Sequence, residues 1–323
     1  MEKFIFPDLY CPFSLQINKY VDVLEEHALA WVTGFNLLKD ESAYKRFCKS
    51  KIFLLIAGAY PNCEFEELKI ANDWLTWMIF LDDYYDISHF GKDPKELKSF
   101  HDRLIEILLN GAELNTQDTA FAHALVDLRE RTLKINSGKW FNFFVYALEG
   151  FLDGCVHEAS NRSQGIVPDV ETYITMRRLT GGMEPLFELI EFCNHLIIPD
   201  YLRNHKALID LKKMTNNSIC WCNDIFSVPK ELAIGDNHNL VLILQHQQKI
   251  SLQQALNCVA QMHNQELEAM VSLETSLPLF GQNLDSEFAQ YLSGMHSWIS
   301  SHFSWYSHSG RYEVVAKPEL VTV

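Results

Sequence analysis

Glycine is scarce in this chain, 14 in 323 residues. That scarcity suits helices better than a turn-rich β protein. Period-two alternation bounded by turn residues is also rare. Basic residues are outnumbered, 27 Lys and Arg against 42 Asp and Glu, for a formal net charge of −15. Such a chain repels nucleic acid and anionic headgroups unless a basic patch intervenes, and no Lys/Arg-rich run supplies one. An anionic ligand stays admissible if metal cations mediate. The eight cysteines form no CxxC and no repeated ligand spacing. They read as buried free thiols in a reducing compartment, not as a disulfide frame or zinc site. "MEKFIFPDLYCPF" has no extended apolar core after its lysine, so no secretory leader is expected. No uninterrupted apolar run approaches membrane-spanning length. The expectation is a cytoplasmic protein with neither nucleic-acid nor membrane partners.

What the chain does have is helical periodicity. In "DPKELKSFHDRLIEILLNG", Asp93 can cap, Pro94 fits the first helical position and Glu96 completes a capping box. Leu97, Phe100, Leu104, Ile107 and Leu108 repeat at three-to-four spacing, and Gly111 offers a stop. "SLQQALNCVAQMHNQELEAMVSLE" opens the same way on Ser251 and Gln254. "GKWFNFFVYALEGFLDGCVHEASNR" is apolar on nearly every side for two turns or more, as expected of a helix at the centre of a bundle. No internal repeat, low-complexity segment or linker stands out. The expectation is one all-α domain over 1–323, with 313–323 as a C-terminal tail.

One stretch conflicts with its surroundings. "DWLTWMIF" runs straight into "LDDYYDI". On a helix Trp74, Trp77, Met78, Leu81 and Tyr85 share an apolar face, and Asp82 projects near it. Asp86 lies one turn further along the same edge. Two ionised carboxylates so close repel each other, and desolvation adds to the cost. Oxygen-only ligands one turn apart suit a hard divalent cation such as Mg²⁺. Alone, the pattern reads equally well as the solvated end of a helix.

A second stretch, "CNDIFSVPKE", shifts the balance. Asn223, Ser227 and Glu231 stand at i, i+4 and i+8 and form one stripe of oxygen ligands. Pro229 removes a helical hydrogen bond and is expected to bend the helix.

DDxxD at Asp82, Asp83 and Asp86, together with NDxxSxxKE at Asn223, Asp224, Ser227, Lys230 and Glu231, resembles the bacterial class I terpene synthases. Further marks agree. In "YITMRRLTGG", Arg177 stands 46 residues before Asn223, and "SWYSHSGRY" ends on Arg311-Tyr312. "HEASNRSQGIVPD" looks like the stretch after the family's central helix. The matches cover almost the whole chain.

The resemblance implies a single α-helical bundle around a deep apolar cavity. Both motifs would flank its mouth and hold three Mg²⁺ ions, with Mn²⁺ an accepted substitute. Asp82 would be the bridging ligand, with Asp83 and Asp86 assisting, and Asn223, Ser227 and Glu231 would hold the remaining ion. Arg177, Lys230, Arg311 and Tyr312 would donate to the diphosphate of an isoprenyl substrate, with pyrophosphate as product. Arg177, Thr180 and the Gly181 carbonyl would link diphosphate sensing to ionisation, although the family often has an acid where Thr180 stands. Phe80 and Trp305 would line the cavity, while Trp140, Phe143, Phe144 and Tyr146 read first as core. Arg178 is expected to pair with a carboxylate, Asp83 being the candidate. A homodimer is allowed.

Simple chemistry agrees with that picture. A diphosphate leaves carbon readily only when cations stabilise the developing charge, and the carbocation left behind needs a dry, π-rich cavity. The expected activity is cyclisation of farnesyl diphosphate to a sesquiterpene. Geranyl or geranylgeranyl diphosphate is the alternative substrate. A prenyl-chain-elongating synthase would need a second Asp-rich motif, and "DD" occurs once. A silent isoprenoid-binding scaffold would be expected to have damaged ligand motifs.

Overall fold

Local chemistry sets the helix ends. Asp93 accepts from the Lys95 and Glu96 amides, Pro94 opens the helix, and Gly111 closes it in the left-handed region at φ 63°. Ser251 and Gln254 form the reciprocal capping box expected of them. Asp40, Asp169 and Asn239 cap three further helices through side-chain oxygens. Each such cap contributes about 1 kcal/mol.

The computed structural model describes residues 4–87, 93–136 and 138–312, without the side chains of 86, 87, 282 and 283. The expected tail 313–323 lies outside the described residues. In chain order the helices are α1 Val21–Gly34, α2 Glu41–Ser50, α3 Ile52–Ala59, α4 Phe65–Ile87 and α5 Pro94–Asn110. Then come α6 Ala120–Ile135, α7 Lys139–Gln164, α8 Val170–Thr180, α9 Met183–Asn194 and α10 Asp200–Arg203. α11 Lys206–Ile234, α12 Leu240–Gln248, α13 Leu252–Thr275 and α14 Gln282–Tyr306 complete the set, followed by a 3₁₀ turn at Gly310–Tyr312. No strand occurs among the described residues, and none of their helices is long and apolar enough to cross a membrane.

Two apolar clusters organise the bundle. The larger joins α1, α3, α4, α5, α6, α7, α9 and α14, with the C-terminal part of α13. The smaller joins α8, α11, α12 and α13. α11 belongs to both, through Leu208, Leu211 and Ile219 on one side and Trp221, Ile225 and Val228 on the other. It runs unbroken through Pro229. The greasy α4 is buried as its pattern demands: Trp74, Trp77 and Leu81 are fully enclosed. Both indole N–H groups find acceptors, Trp74 on Thr132 Oγ1 at 3.0 Å and Trp77 on the Phe121 carbonyl at 3.0 Å.

Some side chains lie elsewhere than expected. Trp140 and Phe144 are core residues, but Tyr146 points into solvent. Phe143 is half-buried beneath the Arg203 guanidinium, 4.2 Å from its ring centre. All eight cysteines are free thiols, yet Cys48 is exposed rather than buried.

Candidate active site

A cavity of about 200 Å³ opens between α4, α8, α9, α11 and α14. Its walls are apolar: Leu75, Met78 and Ile79 from α4, Phe151 from α7, Met183 and Leu186 from α9, Trp298 and Trp305 from α14. Its mouth is charged. Asp82 arrives from α4, Asn223, Ser227, Lys230 and Glu231 from α11, and Arg311 and Tyr312 from the final turn. Helical spacing accounts for the α11 set, because Asn223, Ser227 and Glu231 stand one turn apart and share a face, while Asp82, Arg311 and Tyr312 are brought to it by packing.

Arg311 answers the like-charge problem on α4. Its Nη1 donates to Asp83 Oδ2 at 2.9 Å, and its Nη2 lies 3.7 Å from Asp82 Oδ2. The two carboxyls then diverge. Burial raises Asp82, reinforced by the Asp83 charge and only partly offset by Arg311. Burial also acts to raise Asp83, but Arg311, Lys230 and the hydrogen bond from Arg311 outweigh it and leave that carboxyl lowered. Half of the Asp82 side chain is open, and it opens into the cavity. The Asp86 side chain lies outside the described residues.

Arg177 crosses from α8 to α11. It donates through Nη2 to Asn223 Oδ1 at 2.8 Å and through Nε to Asp224 Oδ1 at 3.0 Å. Asn223 in turn donates to the Tyr312 hydroxyl at 2.9 Å. One network thus joins the expected diphosphate donors Arg177 and Tyr312 through an expected metal ligand. Asp224, given no role by the sequence, is its anchor. This fully enclosed carboxylate also accepts from Tyr173 Oη at 2.8 Å and from the Leu240 amide at 3.1 Å.

The Gly181-Gly182 pair breaks the helix as the sequence suggests. α8 ends at Thr180, and Gly182 enters α9 at φ 67°. A Cβ on Gly181 would lie 2.3 Å from Cys220 Sγ. One on Gly182 would lie 2.8 Å from Met78 Cε. The break therefore packs against α11 and α4 only because both residues lack side chains. No donor bonds the Gly181 carbonyl among the described residues. The residue four ahead, where a continuing helix would supply an N–H, is Pro185.

Several expectations need correction. Phe80 does not line the cavity. It stands on a different face of α4 from Asp82 and packs on Phe47, ring centres 5.7 Å apart. Arg178 does not pair with Asp83. Its Nε donates to Asn217 Oδ1 at 2.8 Å, because the end of α8 turns that side chain towards α11 and α13, and Arg311 takes Asp83 instead. Trp305 does line the cavity, its indole N–H shared by the Ser50 and Lys51 carbonyls.

The rim also holds residues that the sequence did not single out. Arg162 bridges Glu158 and Asp236, 2.8 Å from each, and His238 approaches Asp236 Oδ1 at 3.2 Å. Glu158, Asp236 and His238 could together hold a metal, but Arg162 already serves both carboxylates. "HEASNR" carried Glu158 and Arg162 in plain view, but their partner Asp236 comes from beyond α11, which no local pattern reveals.

The α11 stripe fits a divalent ion by its own chemistry. Its donors are oxygens only, and Glu231 Oε2 is buried without a hydrogen-bond partner. Burial, with the Asp224 charge, pushes the Glu231 carboxyl up to about 8. An enclosed carboxyl with an orphaned oxygen, beside Asn223 and Ser227, is a cradle suited to a hard cation.

Comparison with known proteins agrees. Residues 73–269 match the family model described as terpene synthase family 2, C-terminal metal binding. The chain is 52% identical over 320 residues to a germacrene A synthase of Nostoc punctiforme, covering 99% of each. It is 34% identical to a (+)-T-muurolol synthase of Roseiflexus castenholzii, over 96% of this chain and 95% of that one. Among solved structures, a germacradien-4-ol synthase of Streptomyces citricolor shares the fold at a TM-score of 0.83 and 24% identity, over 94% of this chain and 99% of that chain. The paired oxygen clusters thus sit in the helical framework that such relatives share, and the chain belongs to terpene synthase family 2, a family of metal-binding class I enzymes.

Proposed function

We infer that this protein is a sesquiterpene cyclase that ionises farnesyl diphosphate, closes the resulting carbocation and releases pyrophosphate. One observation carries the reading. Asp82 on α4 and Asn223, Ser227 and Glu231 on α11 line one cavity, with Arg177, Lys230, Arg311 and Tyr312 among them. The 52% identity to a germacrene A synthase supports a C15 substrate and makes germacrene A the first product to look for.

In this reading three Mg²⁺ ions, which Mn²⁺ can replace, supply the positive charge that lets the diphosphate leave. Asp82 is their principal ligand on α4, with Asp83 and Asp86 assisting, and Asn223, Ser227 and Glu231 hold an ion on α11. Arg177, Lys230, Arg311 and Tyr312 orient the diphosphate by donation, the planar guanidinium forks pairing with phosphate oxygens. Arg311 would pass from Asp83 to the substrate. Arg177 reports diphosphate binding through Thr180 to the Gly181 carbonyl, whose unbonded oxygen is free to meet positive charge. Trp305 offers its π face to the cation. The catalytic unit is one domain over 1–323, placed in the cytoplasm. Assembly as a homodimer is compatible with this site and is checked by sedimentation.

The test is incubation with Mg²⁺ and each of geranyl, farnesyl and geranylgeranyl diphosphate, followed by pyrophosphate assay and gas chromatography–mass spectrometry. A cyclic C15 product from farnesyl diphosphate is expected. Linear alcohols alone from all three would refute cyclisation, and a longer diphosphate formed once isopentenyl diphosphate is added would indicate chain elongation. Mg²⁺ with pyrophosphate should also raise the melting temperature, since ligand at a hundred times its Kd contributes about 2.7 kcal/mol.

A further inference from the structure

Deep in the same cavity lies a basic group that nothing above uses. His302 sits on α14, four residues after Trp298 and three before Trp305, so the three share one helix face and all line the cavity. Its side chain is enclosed, only 6% exposed. Nδ1 is buried without a hydrogen-bond partner, and no hydrogen bond to either ring nitrogen occurs among the described residues.

Other buried histidines also leave one nitrogen unpaired, but each is held through the other. His101 Nε2 meets the Tyr85 hydroxyl at 2.5 Å outside the cavity lining, and His238 Nδ1 meets Asp236 Oδ1 at 3.2 Å at the rim. His263 meets Asn264 Oδ1 at 3.1 Å. Leaving a buried polar atom unpaired costs about 1–3 kcal/mol, so an unpaired imidazole calls for a reason. A phenylalanine would fill similar space at no such cost.

The cavity supplies the reason. Among the other wall groups, Leu55, Met183, Leu186 and Ile219 carry no base, and the Cys220 thiol already faces the Arg177 carbonyl and Asn216 Oδ1. Glu158, Asp236 and His238 are tied to one another and to Arg162 at the rim. Burial, helped by the charges of Arg177 and His263, pushes the imidazole down to about 3. The ring is therefore neutral at any ordinary working pH, and one of its nitrogens carries a bare lone pair. A carbocation is so strong a carbon acid that even this weakened base suffices to deprotonate it.

We propose that His302 is the base that removes the terminal proton from the cyclised carbocation. The C–H bond next to the cationic carbon breaks, its electron pair becomes the new C=C bond, and the proton forms an N–H bond on the imidazole. The imidazolium then returns its proton to pyrophosphate or water as product leaves. Fixing which proton departs makes His302 a determinant of product identity. The proposal rests on the cyclase reading above.

The test compares the wild-type enzyme with H302F and H302Q on farnesyl diphosphate and Mg²⁺. Pyrophosphate release reads ionisation, and gas chromatography–mass spectrometry reads the final step. In both variants pyrophosphate release should stay within about threefold of wild type, while the yield of the main wild-type olefin falls at least about tenfold in favour of other olefin isomers or alcohols. The melting temperature and its rise with Mg²⁺ and pyrophosphate should be kept in at least one variant, which shows an intact fold. An unchanged product profile in a folded variant overturns the proposal and passes the proton to the diphosphate or to a carbonyl. If wild type itself forms no cyclic product, the cyclase reading fails first, so the two failures are distinguishable.

Discussion

Asn223 and Asp224 are neighbours in sequence and opposites in task. Asn223 lines the cavity, whereas Asp224 faces away and holds Arg177, Tyr173 and the start of α12. Their substitutions should separate accordingly. Asn223→Ala is expected to lower pyrophosphate release by about a hundredfold or more through loss of charge stabilisation. It should move the urea midpoint little. Asp224→Asn leaves buried Arg177 without its counter-ion and should cost about 3 kcal/mol in a urea titration. Equal midpoints in the two variants would show that Asp224 is not the anchor. The cavity-facing oxygens of α11 were legible because i, i+4 spacing on one helix is local information. Asp224 stood in the same motif, but its partners come from α8 and α12, so its task appears only in the packed molecule. Arg178 failed for the same reason: a sequence shows the charge but not the direction in which the end of α8 faces. Phe80 failed more narrowly, since two residues from Asp82 is about 200° around a helix, away from the cavity.

At the scale of elements, caps and breaks were the readable part. Asp93 and Ser251 act through atoms within four residues of themselves, and the Gly181-Gly182 break shows locally in the left-handed backbone of Gly182. Close approaches between helices were not readable, and Gly154 on α7 is the clearest case. Nothing in the apolar run around it marks its task. In the fold an added Cβ would lie 2.9 Å from Leu179 Cβ and 3.1 Å from Thr180 Cγ2. α8 can therefore lie against α7 only because that side chain is missing, and Thr180 reaches the cavity wall as a result. Gly154→Ala gains about 1 kcal/mol of helix propensity but incurs about 1–3 kcal/mol of overpacking. A net loss of stability is expected, together with slower pyrophosphate release as Thr180 and Gly181 are displaced. Gly34→Ala serves as the control. It meets nothing within 4 Å and should stabilise α1 by up to about 1 kcal/mol. Chemical denaturation of both proteins checks the sign. Equal stabilisation would mean that α7 and α8 can part without cost.

For the whole molecule, net charge told only part of the story. The chain is strongly acidic, yet Arg177, Lys230 and Arg311 gather at the cavity mouth. The Arg311–Asp83 contact spans 228 residues, and no sequence window holds both ends. A second charged cluster lies further back along the same helix. Lys212, about 16 Å before Asn223 at 1.5 Å per residue, pairs with Glu184 and Glu188, while Arg203 pairs with Glu188 and Glu191. Three carboxylates thus share two cations in a buried setting, one negative charge in excess. Glu191 is where that excess shows. Burial raises its carboxyl to about 7, with the Glu188 charge adding to the rise and Arg203 opposing it. The folded state therefore holds this proton more tightly than the unfolded chain, whose carboxyl titrates near 4.5. As pH climbs from about 4.5 to about 7, the unfolded state releases its proton first, so stability falls across that window and levels off above it. The loss is on the order of 3 kcal/mol. Other carboxylates contribute slopes of their own, so the informative quantity is a difference of differences. Urea midpoints at pH 5 and pH 8, measured for wild type and Glu191→Gln, supply it. Gln cannot titrate, so the variant should lose less stability than wild type between the two pH values. An identical loss in both would place the excess charge elsewhere in the cluster and remove Glu191 as the group that carries it.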